Sequence, residues 1–404
     1  MWKVLMLDCS RHKGRVLSSP RVGGIEDRVR SRNDDLVRMT KQIMEVGPKI
    51  GEVARGMMVF KETLRYRFHK YLLQRGFVVQ ANLDYKKLGL KRLLIVAKLA
   101  PRFAERKVAM MSALSETCFL TGFSETTLEG LCIMHATIPS ELLEECSGLY
   151  AKLQDAEVFS EMQILRFEEV RNVPMKPEYY DFTNGAWEYD WHGEEIGGVS
   201  AVRSERKTNV ERYDMSDLLI LKELEVDASQ TLVGIAKKLK ISHKTALYHY
   251  NSHILGRGLI KNYGILWQGA HYTAKIEKAE SKRHRYLGVA LLVRGLTDGQ
   301  RARLRGSLNQ LPFSLLEAFD PDYYAEFFVP LASYIEFLKR LRELTVRTGT
   351  QPEVFILDQS KALRFSIAYG LFDRKKRRWE LSKADIIPRF ENLTINADGS
   401  RRGA

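Results

Sequence analysis

Cysteine is scarce and poorly spaced for chemistry. The four present, Cys9, Cys118, Cys132 and Cys146, form no CxxC pair, which excludes a zinc knuckle and a dithiol redox motif and leaves buried, inert thiols as the expectation. Long apolar runs are missing too. No stretch approaches the roughly 20 residues a bilayer-spanning helix needs, and the opening MWKVLMLDC lacks the basic n-region and cleavage site of a secretory signal. A cytoplasmic protein without membrane attachment is expected. There is no P-loop, no GxSxG elbow and no carboxylate pair in a recognisable pocket setting. The residues alone therefore predict no enzyme, no cofactor and no metal site.

Positive charge is abundant. Lys and Arg exceed Asp and Glu by 14, and the isoelectric point is near 9.5. Such a balance favours a polyanionic partner through counterion release, although part of the excess lies in runs such as RKKRR at 374–378. With 45% hydrophobic and 28% charged residues over 404 positions, the chain is long enough for two or more well-buried domains.

The most patterned stretch is 216–267. Leu218, Leu219, Leu221 and Leu224 recur at helical spacing, and Leu232, Ile235, Ala236 and Leu239 follow after a break. Ser242 is placed to N-cap a third helix. That helix turns Ala246, Tyr250 and Ile254 one way and His243, Lys244, Tyr248 and His249 the other. It stops at Arg257-Gly258, and the alternating LIKNYGIL reads as a wing strand. A winged helix-turn-helix with a polar, basic outer face fits the major groove of DNA.

Residues 34–90 repeat the pattern at an offset of 182, from Gly76 to Gly258. Asp35 falls on Asp217, Ala54 on Ala236, Thr63 on Thr245, Tyr66 on Tyr248 and Phe68 on Tyr250. Such agreement along a long segment indicates internal duplication. In this first copy the outer face carries Lys61, Tyr66, Arg67 and Lys70.

Each reader is followed by strands and helices in the order β-α-β-β-α-β, the ferredoxin-like arrangement, and then by an aromatic strap. Tyr180, Phe182 and Trp187-Glu188 are echoed by Tyr369, Phe372 and Trp379-Glu380. The expected α+β organisation is a basic lead-in (1–33), winged helix-turn-helix 1 (34–90), ferredoxin-like domain 1 (91–168) and a strap and linker (169–213). Winged helix-turn-helix 2 (214–275), ferredoxin-like domain 2 (284–360) and a second strap with a disordered tail (361–404) complete it.

This order resembles the Lrp/AsnC (feast/famine) transcription regulators, twice in one chain. In the second unit the resemblance rests on Asp217, Ile220-Leu221, Leu224, Asp227-Ala228, Ile235-Ala236, Ile241-Ser242, Thr245 and Gly258-Leu259-Ile260. In the first it rests on Lys87-Leu88-Gly89-Leu90 and Leu120-Thr121-Gly122-Phe123. The resemblance implies a sequence-specific regulator of double-stranded DNA, acting as a homodimer or an intramolecular pseudo-dimer. It also implies a small effector, commonly an amino acid, near Thr121 and Gly122. On this reading Lys61, Tyr66, Arg67, Lys70, His243, Lys244, Tyr248 and His249 contact DNA. Two departures stand out. Phe68 and Tyr250 occupy the position of a basic residue in the recognition helix, and Ala318-Phe319-Asp320-Pro321 replaces the Thr-Gly pair in the second unit.

Two alternatives share this architecture. One is a non-specific architectural protein of DNA or RNA. The other follows from a resemblance to siroheme decarboxylases, which implies a tetrapyrrole held between domains and histidines in the chemistry. His249 and His253, at i and i+4, have a spacing that can ligate a metal, but the sequence offers no evident third ligand, and surface histidines on a DNA-facing helix are the expectation.

Overall fold

The computed structural model describes residues 23–193, 209–267, 286–319, 321–381 and 388. The first unit opens with helices α1 (Gly23–Val46), α2 (Ile50–Met57) and α3 (Lys61–Arg67) and a π-helical turn at Phe68–Leu72, followed by strand β1 (Phe77–Leu83). Helix α1 begins at Gly23, inside the stretch read above as a basic lead-in. A four-stranded sheet with two helices follows: β2 (Leu90–Leu99), α4 (Lys107–Thr117), β3 (Leu120–Thr126), β4 (Cys132–Pro139), α5 (Leu143–Asp155) and β5 (Phe159–Arg166). Ser140 makes no cap bond on α5. It sits in a 3-10 turn and donates its hydroxyl to the Gly89 carbonyl at 2.9 Å. The connector supplies strand β6 (Glu169–Val173) and a small hairpin of β7 (Tyr180–Asp181) and β8 (Ala186–Trp187).

The second unit repeats the plan with α6 (Met215–Val226), α7 (Leu232–Leu239), α8 (His243–Tyr248), a π-helical segment at His249–Leu255 and β9 (Ile260–Trp267). Its helix starts are well capped. Asp214 and Asp217 form a capping box on α6, Thr231 caps α7, and Ser242 Oγ accepts from the Thr245 amide at 3.0 Å. Then come β10 (Tyr286–Val293), α9 (Asp298–Leu308), β11 (Leu315–Phe319), β12 (Tyr323–Pro330), α10 (Tyr334–Arg347) and β13 (Glu353–Arg364), with a last hairpin of β14 (Phe372–Asp373) and β15 (Arg378–Trp379). The duplication is visible in the backbone itself. Met58 and Lys240, at the same offset of 182, both adopt the left-handed conformation that closes the second helix (φ 55° and 54°), as do Gly76 and Gly258.

The fold is α+β, two tandem helix-turn-helix plus ferredoxin-like units, and four features join them. Strands β1 and β9 do not form separate hairpin wings. They pair with each other, antiparallel, with Ala81 opposite Tyr263, so the two candidate wings make one ribbon. The two sheets, each in ferredoxin-like order, join edge to edge through β3 and β13 into nine strands, β5-β2-β4-β3-β13-β10-β12-β11-β6. That sheet also folds over on itself. Leu94 and Ile133 from one half pack in a single buried cluster with Ala290, Leu292 and Tyr324 from the other, so the sheet faces opposite the helices cover each other.

The straps cross over. Tyr180 stacks edge-on against Phe77 and Trp187, while Trp187 and Trp191 reach Phe313 of the second unit. In return Trp379 packs against Phe119 of the first unit at 5.8 Å, and its indole N–H donates to the Tyr213 hydroxyl at 3.0 Å. Trp379 is 4% exposed. Trp379→Ala should cost about 3–5 kcal/mol of stability, read as a lower midpoint in urea. A shift equivalent to under about 1 kcal/mol would show that the strap does not hold the units together.

Among the described residues no helix is long and apolar enough to cross a membrane. Cys118, Cys132 and Cys146 are free and buried, and burial pushes their thiols up to about 11, 12 and 12, consistent with inert core positions.

Candidate active site

Strands β4 and β12 are both eight residues long, and His135 and Glu326 hold the same fourth position in each. When the two sheet faces meet, equivalent positions near the pseudo-twofold axis meet too. In a symmetric homodimer such a position would face its own copy. Here duplication has let the two differ, and His135 Nε2 lies 3.0 Å from Glu326 Oε2.

The pair is densely supported. The Tyr324 hydroxyl donates to Glu326 Oε2 at 3.0 Å, and Arg364 Nη2 donates to Oε1 at 2.9 Å. Glu326 is 1% exposed and His135 8%. Burial works to raise the Glu326 carboxyl, but Arg364, His135 and Tyr324 together outweigh it and hold it well below the usual carboxylate range. Burial lowers the imidazole of His135 despite its acidic partner, so the ring is neutral near pH 7. An ionised acid bonded to Nε2 fixes that nitrogen as the one bearing hydrogen.

His135, Glu326 and Arg364 line an open cavity of about 280 Å³ together with Arg92, Tyr85 and Glu225. Arg92 donates to the Tyr85 hydroxyl at 2.8 Å and lies over that ring, and Tyr85 donates to Glu225 at 2.9 Å. Arg92 Nε is buried and has no hydrogen-bond partner among the described residues, so it is available to a ligand. Burial raises the Glu225 carboxyl, with Tyr85 and Arg92 opposing it in part. A second cavity of about 280 Å³ shares Asn82, Tyr85, Arg92 and Asn172 with the first. The two form one trough. Its other wall is made by the readers: Gln80 and Asn82 of β1, Gly264 and Leu266 of β9, and Glu225 at the end of α6. The strands expected as separate wings therefore close a cavity together.

Thr121 and Gly122, expected near an effector, border this cavity. Thr121 lines it, and Gly122 is buried beneath it. A Cβ on Gly122 would stand 2.5 Å from Arg364 Nη1 and 3.3 Å from His135 Cδ2, so the glycine leaves room for both side chains where they reach Glu326. Of the proposed DNA contacts, Lys61, Tyr66, Lys70, His243, Lys244 and Tyr248 are exposed, and Lys70 donates to Tyr66 at 2.8 Å. Arg67 turns toward α1 and pairs with Asp35 at 3.0 Å. His249, expected on the outer face, is turned inward and bonded to Asp217 at 2.8 Å. It holds the place that Arg67 holds in the first unit, where a regular helix already turns the side chain toward the equivalent aspartate, Asp35. Phe68 and Tyr250 are core residues, 6% and 8% exposed, which accounts for their departure from a basic type.

Sequence reasoning passed over His135, Glu326, Arg364, Arg92 and Tyr85. A lone histidine in a strand and a buried acid two hundred residues away carry no shared pattern. Only the matched registers of the two repeats could have connected them.

No protein-family model matches the chain, and no curated protein sequence matches it. Among solved structures, the siroheme decarboxylase NirDL shares the fold over 90% of this chain and 99% of its own, with a TM-score of 0.50 and 12% identity. A second structure of NirDL, in co-complex with an iron-uroporphyrin III analogue, matches over the same shares at a TM-score of 0.49 and 11% identity. At such identity the likeness is one of fold. The expectation that the chain is no enzyme is corrected to this extent: its doubled architecture is one that a solved enzyme structure also has.

Proposed function

We propose that the chain is a decarboxylase acting on a tetrapyrrole of the siroheme class, held in the trough between its two units. The observation that carries the reading is the His135–Glu326 pair at the pseudo-twofold axis, flanked in one cavity by Arg92 and Arg364. The fold shared with a siroheme decarboxylase over nearly the whole chain supports it.

The chemistry needed is modest. A side-chain carboxylate of the macrocycle loses CO2: the carbon–carboxylate bond breaks, its electron pair stays on the adjacent carbon, and a proton must arrive there. Arg92 and Arg364 orient the carboxylates through charge-assisted hydrogen bonds. His135 supplies the proton. It is neutral in the free protein, but substrate carboxylates bring negative charge into the cavity and favour its protonated form. Glu326 positions the ring and stabilises the imidazolium once it forms, as a buried acid does for a catalytic histidine. The readers' ribbon keeps water from the reacting carbon.

The test is direct. Siroheme incubated with the folded protein should yield products lighter by one or more CO2, seen by mass spectrometry, and siroheme recovered unchanged would contradict the reading. Gly122→Ala sharpens it. Displacing Arg364 at its far end leaves the fold intact but should slow turnover on the order of 100-fold, with an unchanged far-ultraviolet dichroism spectrum. Full activity in that variant would remove Arg364 from the site.

A further inference from the structure

The inward turn of His249 creates a second cluster, away from the trough and independent of the decarboxylase reading. His249 Nδ1 is 2.8 Å from Asp217 Oδ1, and His253 Nδ1 is 3.0 Å from the same oxygen and 3.1 Å from Oδ2. Asp214 Oδ1 stands 3.8 Å from His249 Nδ1. One ligand atom from each of the four residues lies within 4.8 Å of all the others. Asp217 is fully buried, and the two imidazoles are 12% and 16% exposed. Tyr248 packs edge-on against both rings, at 5.7 and 5.0 Å.

The first unit shows what a merely mechanical link between these helices requires. At the equivalent positions it carries Arg32, Asp35, Arg67 and Tyr71. Arg67 pairs with Asp35 at 3.0 Å, and Arg32 lies over the Tyr71 ring at 4.8 Å. In the second unit both arginines are gone, and all four positions hold metal-ligating types. One ion pair would have sufficed to join α6 to the third helix. Two imidazoles converging on one buried carboxylate, with a second carboxylate beside them, are a donor set for a divalent cation.

We propose that Asp214, Asp217, His249 and His253 form a structural site for a divalent transition metal of the zinc type. Two nitrogens and two oxygens suit zinc in four-coordinate geometry, and a site closed by four protein ligands is of the structural kind. With bonds of about 2.0–2.1 Å, tetrahedral ligand atoms stand roughly 3.3 Å apart. The separations of 2.8–3.8 Å bracket that value, and the wider pairs, all within 4.8 Å, close to it by side-chain rotations of up to about 1.5 Å. Binding would displace any proton on either Nδ1 and pin the first helix of the second reader to its third.

Metal-stripped full-length protein would be dialysed against Zn2+ alone, and Co2+ would be used as a spectroscopic probe. The expected result is one Zn2+ per chain, a raised thermal midpoint, and a visible d–d band with Co2+. The double variant His249→Gln/His253→Gln keeps a hydrogen-bonding side chain toward Asp217 and should lose the stoichiometric site. The single variant His253→Gln, whose fold is less burdened, should bind on the order of 100-fold more weakly. Wild-type protein that takes up no stoichiometric Zn2+ would overturn the proposal. So would either folded variant that binds as the wild type does.

Discussion

Replacing His135 with alanine should lower turnover of siroheme by about 10²–10⁴-fold, the usual contribution of a positioned proton donor. Substrate affinity should change far less, because Arg92 and Arg364 remain in place. The split between the two quantities is the informative part. If His135 only anchored Glu326, its loss would loosen Arg364 and weaken binding and turnover together. A variant with unimpaired turnover would remove the histidine from the chemistry altogether. The pH profile adds a second readout. Burial holds the free imidazole below its ordinary value of 6.5, so turnover in the wild type should depend on protonation in the substrate-bound protein, and the alanine variant should lose that limb of the profile.

Glu326→Ala should be among the most damaging single changes to the fold. It removes the one carboxylate that receives His135, Tyr324 and Arg364, leaving a charge and two polar groups without it between the packed sheets. Breaking a buried pair from one side costs about 3–5 kcal/mol. The pH dependence follows from two depressed values. The folded protein binds fewer protons than the unfolded chain at Glu326 below its ordinary 4.5 and at His135 below its ordinary 6.5. Stability from both is therefore present above those values and declines as the pH falls, first through the histidine range and then through the carboxylate range. Urea unfolding of the wild type across pH should show both declines, and Glu326→Ala should lack the second. A variant as stable as the wild type at pH 7 would mean that this cluster contributes little to joining the sheets.

The duplication, the helix-turn-helix order and the two βαββαβ runs were legible because each is a local periodicity, repeated. Asp217 on Asp35 and Gly258 on Gly76 could be aligned by eye, and the backbone repeats at the same offset. What joins the copies could not be read that way. LIKNYGIL and FVVQANL alternate as wing strands do, yet nothing in either says that its partner is the other. Pairing across the units turned two expected wings into one wall of a cavity. Strand β13 also runs past the expected domain end to Arg364, and that extra length carries a site residue across the seam to Glu326. His249 was misplaced for a smaller reason. On a regular helical wheel it lies about 60° from the core residue Ala246, close enough to the buried face to reach α6. Lys61, Lys70 and Lys244 were legible because they form a pattern within single helices, whereas the histidine and its acid lie 191 positions apart.

The central claim is that one tetrapyrrole occupies the trough between the units, against Arg92 and Arg364. An absorbance titration of the wild type and of the Arg92→Ala/Arg364→Ala variant with siroheme tests it most directly. The wild type should shift the macrocycle's main band and saturate at one equivalent per chain, while the folded variant should lose that saturable shift. An unshifted band in the wild type, or the same saturation in both proteins, would contradict it.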